Sequence, residues 1–347
     1  MKKISKLGLS ALCGSLAAVS AAKAGEMTVT GNAHLTYTEL NNTVTGQPLG
    51  MKTNLSFVGN GELDGGQTFS VTIAHTDQNT WSSGNITLNL NSLGTIKLSS
   101  AEGGGGIGGY DDNMPRAVEE VWDAGVATNI NLQKGVGSSM NLQWESPRIA
   151  ATTIRLAWTP DNAGGQVNDK STGGATSSDL GMGYDAVLRI NPAVGAFGAD
   201  LFVGYSESVK DDSTTAVAKK HENRHREAVA GLTLDIGPVS IGGQASGEYM
   251  PLQDTSSTEY YGNTSYGVAF NVNDDLSVSY GEIRSMKSAQ ADVQQWNPKT
   301  EMVGESWQVA YTMGGISFKY ADTEVTNPKY NKNTSSDAQL FIMSMAF

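Results

Sequence analysis

From residue 27 onward the chain alternates apolar and polar residues in short runs, which is the period of a β-strand whose two faces meet different surroundings. Sixteen such runs can be counted, at 27–39, 51–63, 67–76, 82–91, 95–101, 138–146, 151–159, 181–191, 196–206, 226–236, 239–249, 263–272, 275–284, 305–313, 315–323 and 336–347. In the first, Met27, Val29, Ala33, Leu35 and Tyr37 share one face, and Thr28, Thr30, Asn32, His34 and Thr36 the other. In the twelfth, Tyr266, Val268, Phe270 and Val272 lie opposite Ser265, Gly267, Ala269 and Asn271. A second face built of hydroxyl, amide and glycine positions is not a packed core.

The connections are of two kinds in strict alternation. Tight ones fall at Asp64-Gly65-Gly66, Ser92-Leu93-Gly94, Pro147 to Ala150, Asn191 to Gly195, Gly237-Pro238, Asn273-Asp274 and Gly314, with residue types suited to short hairpins. Long ones, rich in Gly, Asn, Asp, Ser and Thr, fall near 40–50, 77–81, 102–137, 160–180, 207–225, 250–262, 285–304 and 324–335. Short turns at one end and long loops at the other are the plan of a bacterial outer-membrane barrel. A soluble β-sandwich also alternates, but it turns its apolar face inward and has no need of sixteen strands in one layer. Phe57, Phe69, Trp158, Tyr184, Phe197, Tyr205, Trp307 and Phe318 all fall on the apolar face, as lipid-facing aromatic girdles require. The expectation is an all-β fold, a 16-stranded antiparallel transmembrane β-barrel with short periplasmic turns and long external loops.

Composition adds the compartment. Residues 1–24 have a basic start (Lys2, Lys3, Lys6), an apolar middle and the ending Ala22-Lys23-Ala24, which predicts a signal peptide cut before Gly25. The barrel domain is then 25–347, and Cys13, the single cysteine, leaves with the leader. Losing four lysines from 23 Lys+Arg leaves 19 against 35 Asp+Glu, a mature charge of −16. That balance argues against nucleic acid, which is bound through basic surface. No apolar stretch after Gly25 is long enough for a membrane helix.

At this point the sequence resembles the general diffusion porin family of Gram-negative bacteria. SFVGNGELDGGQTFSVTIA (56–74) is similar to that family's second strand, turn and third strand, and ITLNLNSLGTIKLSS (86–100), MNLQWESPRIAATTIRLAW (140–158) and YGVAFNVNDDLSVSYGE (266–282) to later hairpins. The resemblance implies a third external loop folded into the barrel, here 102–137, carrying Asp111, Asp112, Glu119, Glu120 and Asp123 with Arg116 among them. It also implies basic side chains on the wall opposite. By register Lys52, Lys97, Arg155, Arg189 and Lys319 fall on the polar face, with Arg155 nearest mid-height. The family's exact loop motif is not reproduced. Phe347, closing AQLFIMSMAF, resembles the terminal signal read by the barrel assembly machinery. Expected partners are two further copies in a homotrimer, outer-membrane lipid and lipopolysaccharide, and periplasmic chaperones with the assembly machinery.

Catalytic readings find little support. Gly103, Gly105 and Gly108 fit G-x-G-x-x-G, but no crossover helix and second parallel strand follow, so flexibility at a bend is the expected role. GYSES (204–208) lacks the second glycine of a nucleophile elbow. His34 is a lumen residue by register, His75 an interfacial one, and His221 and His225 read as loop residues. The loop carboxylates are of the kind Ca²⁺ takes, though without EF-hand spacing; no other cofactor is expected, and no enzyme. The function expected is a passive channel for small hydrophilic solutes with a weak cation preference. A substrate-specific channel and an outer-membrane adhesin are the alternatives. An epitope placed at Asp254 should be reached by antibody on intact cells and one at Gly65 should not; labelling at Gly65 would reverse the proposed orientation.

Overall fold

A computed structural model describes residues 24–41, 47–76, 83–100, 104–162, 180–195, 197–210, 224–250, 258–289 and 300–346. Residues 1–23, all but the last of the expected leader, and the terminal Phe347 lie outside the described residues. Seventeen strands follow one another: β1 Ala24–Leu40, β2 Leu49–Glu62, β3 Thr68–Thr76, β4 Ser83–Asn89, β5 Thr95–Ser100, β6 Asn141–Glu145, β7 Thr152–Thr159, β8 Leu180–Ile190, β9 Ala193–Val194, β10 Phe197–Lys210, β11 Arg224–Ile236, β12 Val239–Tyr249, β13 Thr258–Asn271, β14 Leu276–Ala289, β15 Glu301–Met313, β16 Ile316–Thr326 and β17 Ser335–Ala346. Neighbouring strands pair antiparallel, and β17 returns to β1, with Tyr37 opposite Phe341, to close the sheet. The two-residue β9 continues β8: Gly198 and Phe197 of β10 face Ala193 and Val194 in the register that puts Leu201 opposite Ile190. Pro192, which has no N–H to give the ladder, interrupts what is physically one stave. The barrel therefore has sixteen staves, as the alternation predicts. No helix among the described residues is long and apolar enough to cross a membrane.

Burial is inverted relative to a soluble protein. On β15, Trp307 is 67% exposed while its neighbours Ser306 and Gln308 are 0% and 6% exposed. The exposed large side chains include Val29, Leu35, Ile86, Tyr184, Leu201, Tyr266, Val268, Phe318 and Phe341, all on the outward face. Asp185, Ser206, Gln244, Asn263, Ser265, Ser279 and Thr323 are buried on the inward face.

The outer ends of several strands run further than the alternation indicates: β11 begins at Arg224, β13 at Thr258 and β15 at Glu301, while β10, β14 and β16 end at Lys210, Ala289 and Thr326. There the outward face turns polar too, which erases the period. Glu207 on β10 accepts hydrogen bonds from Tyr184 (3.2 Å), Tyr205 (2.9 Å) and Arg226 (3.3 Å), and Glu282 on β14 accepts one from Arg284 (2.6 Å). Charges on the outside of a membrane barrel cost least near the interface, so these pairs mark its outer rim. Conversely β6 starts three residues late, because Gly135–Ser138 form a 3₁₀ turn that belongs to the preceding loop.

The short turns are built as hairpins need, with one exception in residue type. Ile149 and Thr152 exchange two backbone hydrogen bonds (3.0 and 2.9 Å) around Ala150 and Ala151, at φ +47° and +67°. This is the left-handed pair of a type I′ turn, a place for Asn-Gly, and an L-residue there costs about 1–2 kcal/mol. Ala150→Asn combined with Ala151→Gly should therefore stabilise the barrel by about 1 kcal/mol or more, read as a higher urea midpoint or a higher temperature for loss of the compact electrophoretic form. An unchanged or lower midpoint would show that the turn is not strained.

Candidate channel and its inward loop

The third long connection runs along the inside of the wall. Ile107 and Tyr110 pack on Val187, Phe202 and Val229, inward positions of β8, β10 and β11. Pro115 then passes so close to β13 that a Cβ on Gly267 would come within 2.5 Å of the Pro115 carbonyl oxygen, which explains a glycine in mid-strand. Further along, Ala117 N–H donates to Ser279 Oγ (2.8 Å) and Val118 N–H to Gln308 Oε1 (2.9 Å), while Gln308 Nε2 donates to the Glu119 carbonyl (2.6 Å). Val118 and Ala124 bury against Ala310, Ala321, Leu340 and Ile342, and Val126 against Met302, Val325, Tyr330 and Ala338. The chain returns by Asn131, whose carbonyl accepts from Asn263 Nδ2 (2.8 Å), to β8.

The loop is thus amphipathic: Ile107, Met114, Val118, Val121 and Ala124 are buried against the wall, and Asp112 and Asp123 are exposed. Fully burying an aliphatic side chain is worth about 1.5–3 kcal/mol, whereas a solvent-exposed ion pair contributes about 0–1 kcal/mol. Apolar contact therefore decides which side of the loop meets the wall, and the charges are left to face the lumen. The last external connection adds to this floor, with Tyr330 sharing a hydrogen bond with Ser285 (2.8 Å) and Lys329 N–H donating to the Thr128 carbonyl (3.1 Å).

Within the loop, Arg116 pairs with Asp112 (3.2 Å) and with Glu120. Burial lifts Asp111 to about 6, with Asp112 beside it adding in the same direction, and burial also lifts Glu120 above the usual carboxylate range despite Arg116. Glu119, Glu120 and Asp123 bring one oxygen each within 4.8 Å of the others. Three such oxygens are fewer than the six to eight that Ca²⁺ takes.

The wall bases divide into two groups. Lys52 near the outer end of β2 and Lys97 near the inner end of β5 face inward, Lys52 opposite His34 and Lys97 opposite Gln143. Lys319 on β16 is inward as well, opposite Ala310. Arg155 is not set apart from the loop: its guanidinium lies 5.6 Å from the Tyr110 ring centre and pairs with Glu145 (2.6 Å). Arg189 is held by Asp200 (2.8 Å). Both arginines are thus locally neutralised, Arg155 by Glu145, its direct partner across the β6–β7 hairpin, and Arg189 by Asp200, diagonal to it on β10. His34 is inward, as expected, and touches Asn32 (3.1 Å). His225 is not a loop residue: it sits on β11, 4% exposed, with Nε2 2.8 Å from Glu248. The alternation places the start of β11 at 226 because Arg224 and Arg226, on the outward face, break the apolar period there.

No protein-family model and no curated protein matches the sequence. Solved structures do match in shape. A porin refined at 1.8 Å superposes with a TM-score of 0.62 at 11% identity, covering 93% of this chain and 100% of that one. An anion-selective porin from Comamonas acidovorans gives 0.60 at 11% identity over 93% and 99%, and Salmonella typhi OmpF in complex with daunomycin gives 0.60 at 10% over 93% and 98%. The fold is that of the porins. At this identity the likeness lies in the sixteen staves and their closure. The porin fold leaves an aqueous lumen at this strand number, and here its inward face is the polar one.

Proposed function

We propose that the chain is a passive diffusion channel in the outer membrane of a Gram-negative bacterium, admitting small hydrophilic solutes and ions with a weak preference for cations. The observation that carries the reading is the inverted burial: an apolar exterior belt around a polar inner wall. The porin fold of the structural neighbours supports it. The inner face of β1 to β5 bears Thr, Asn and Ser with Lys52 and Lys97, a wall that holds a water column without an aromatic track for a sugar. The loop from 104 to 137 narrows that column, and its five carboxylates, Asp111, Asp112, Glu119, Glu120 and Asp123, outnumber Arg116 and Lys134. The same reading includes cleavage of the leader before Gly25, assembly aided by Phe347, and a homotrimer in lipopolysaccharide.

Charge at a narrow point weighs more than charge elsewhere on the molecule, because salt screens beyond about 8–10 Å. Replacing Asp111, Asp112, Glu119 and Glu120 with their amides should move the zero-current potential in a salt gradient towards anions, most in dilute salt. An unchanged potential would remove the loop from the conduction path. The pH dependence has a definite sign. A carboxyl raised to about 6 is charged at pH 7.5 and neutral at pH 5, so cation preference should fall as pH drops through that range. In Asp111→Asn the step should shrink, and an identical pH profile in wild type and variant would show that Asp111 does not face the permeating ions.

A further inference from the structure

Glycines crowd both feet of the third loop, and two of them adopt a backbone that L side chains rarely take: Gly106 at φ +55° and Gly135 at φ +57°. Flexibility does not account for them, since Gly106 and its neighbour Ile107 are buried. A Cβ built on either Gly106 or Gly135 would overlap the Asp185 carboxylate. That carboxylate, 2% exposed on β8, accepts the N–H of Ile107 at one foot (3.0 Å) and the N–H of Val136 at the other (3.2 Å). Successive backbone N–H groups around a concavity form an anion cradle. Here the acceptor that fills the cradle is the chain's own side chain. Glu227 on β11 backs it, accepting from Lys134 N–H (2.8 Å) and Gly135 N–H (2.7 Å), and Glu248 on β12 receives Asn131 Nδ2.

We propose that Asp185 is the latch of the third loop, a positioning residue that joins both feet to the wall and thereby sets how steadily the loop stays folded into the lumen. This rests on the channel reading for its consequence, though not for its geometry. Asp185 Oδ2 accepts from both feet at once (3.0 Å from Ile107 N, 3.2 Å from Val136 N) and Oδ1 also accepts from Val136 (3.2 Å); an amide in its place keeps one accepting oxygen and turns its NH₂ donor towards the Val136 N–H. Each hydrogen bond lost should raise the population of displaced loop states about two- to tenfold.

The test uses the full-length protein in a planar bilayer at neutral pH. Asp185→Asn should spend about two- to tenfold more time away from the main conductance level than wild type, and Glu227→Gln should shift it in the same direction. Asp235→Asn, an inward carboxylate at the inner end of β11 away from the loop, should match wild type. A folded Asp185→Asn channel as quiet as wild type overturns the latch. Hydrogen exchange in the unaltered protein tests it without a substitution: peptides covering 104–110 and 132–139 should open at a common rate, because one carboxylate holds both, and rates that differ widely overturn the proposal. A wild-type protein that conducts nothing would defeat the channel reading and leave the exchange result to judge the latch.

Discussion

A chain that crosses a bilayer must satisfy every backbone N–H and C=O from within, because hydrocarbon offers no partners. In this protein that requirement is met by pairing β17 with β1, which removes the edges that an open sheet of sixteen staves would expose. Closure fixes the rest. With period-2 strands in a ring, one set of side chains must point outward and the other inward, so the apolar set becomes a belt and the polar set a wall. Inverted burial at Ser306, Trp307 and Gln308 follows from closure in lipid as directly as a hydrophobic core follows from folding in water.

The inner surface is not uniform, and the difference decides where the channel can be. Strands β8 to β17 carry apolar residues inward, among them Val187, Phe202, Val229, Met302, Val325 and Leu340, and these are the positions on which the third loop and Tyr330 pack. Strands β2 to β5 keep Thr, Asn and Ser at the matching positions. One half of the barrel is therefore lined by a packed loop and the other by wettable wall, so that water and loop divide the lumen between them.

This asymmetry also explains what could be read from the sequence. The alternation is clean in 27–39 and 67–76, where one face meets lipid and the other water, and those strands were legible to within a few residues. Along β8 and β10 the runs DAVLRI and DLFVGY are apolar at both parities, because the loop supplies an apolar partner inside. The strands are still visible there, but the loop's path over them is not. The buried carboxylates were harder still. Asp185 and Glu227 carry no mark in a period-2 pattern, and only the fold brings Asp185 under the glycines at 106 and 135 and Glu227 to the Gly135 N–H. Arg155 was legible as inward, and Glu145 faces it directly across its own hairpin, while its stacking on Tyr110 depends on where the loop begins its turn along the wall. The alternating face gives no signal for a contact between a strand and a loop outside its own hairpin.

The polar face bounds water and the apolar face bounds lipid. The expected mature chain has no cysteine, so single cysteines can be placed at adjacent positions without background. Thr72 and Asn85 face inward, and Val71 and Ile86, each one residue along, face outward. In membranes, a small charged thiol reagent should react with the Thr72→Cys and Asn85→Cys variants and should spare Val71→Cys and Ile86→Cys. Reaction at all four sites alike, or the reverse pattern, would show that the polar face does not bound water while the apolar face bounds lipid.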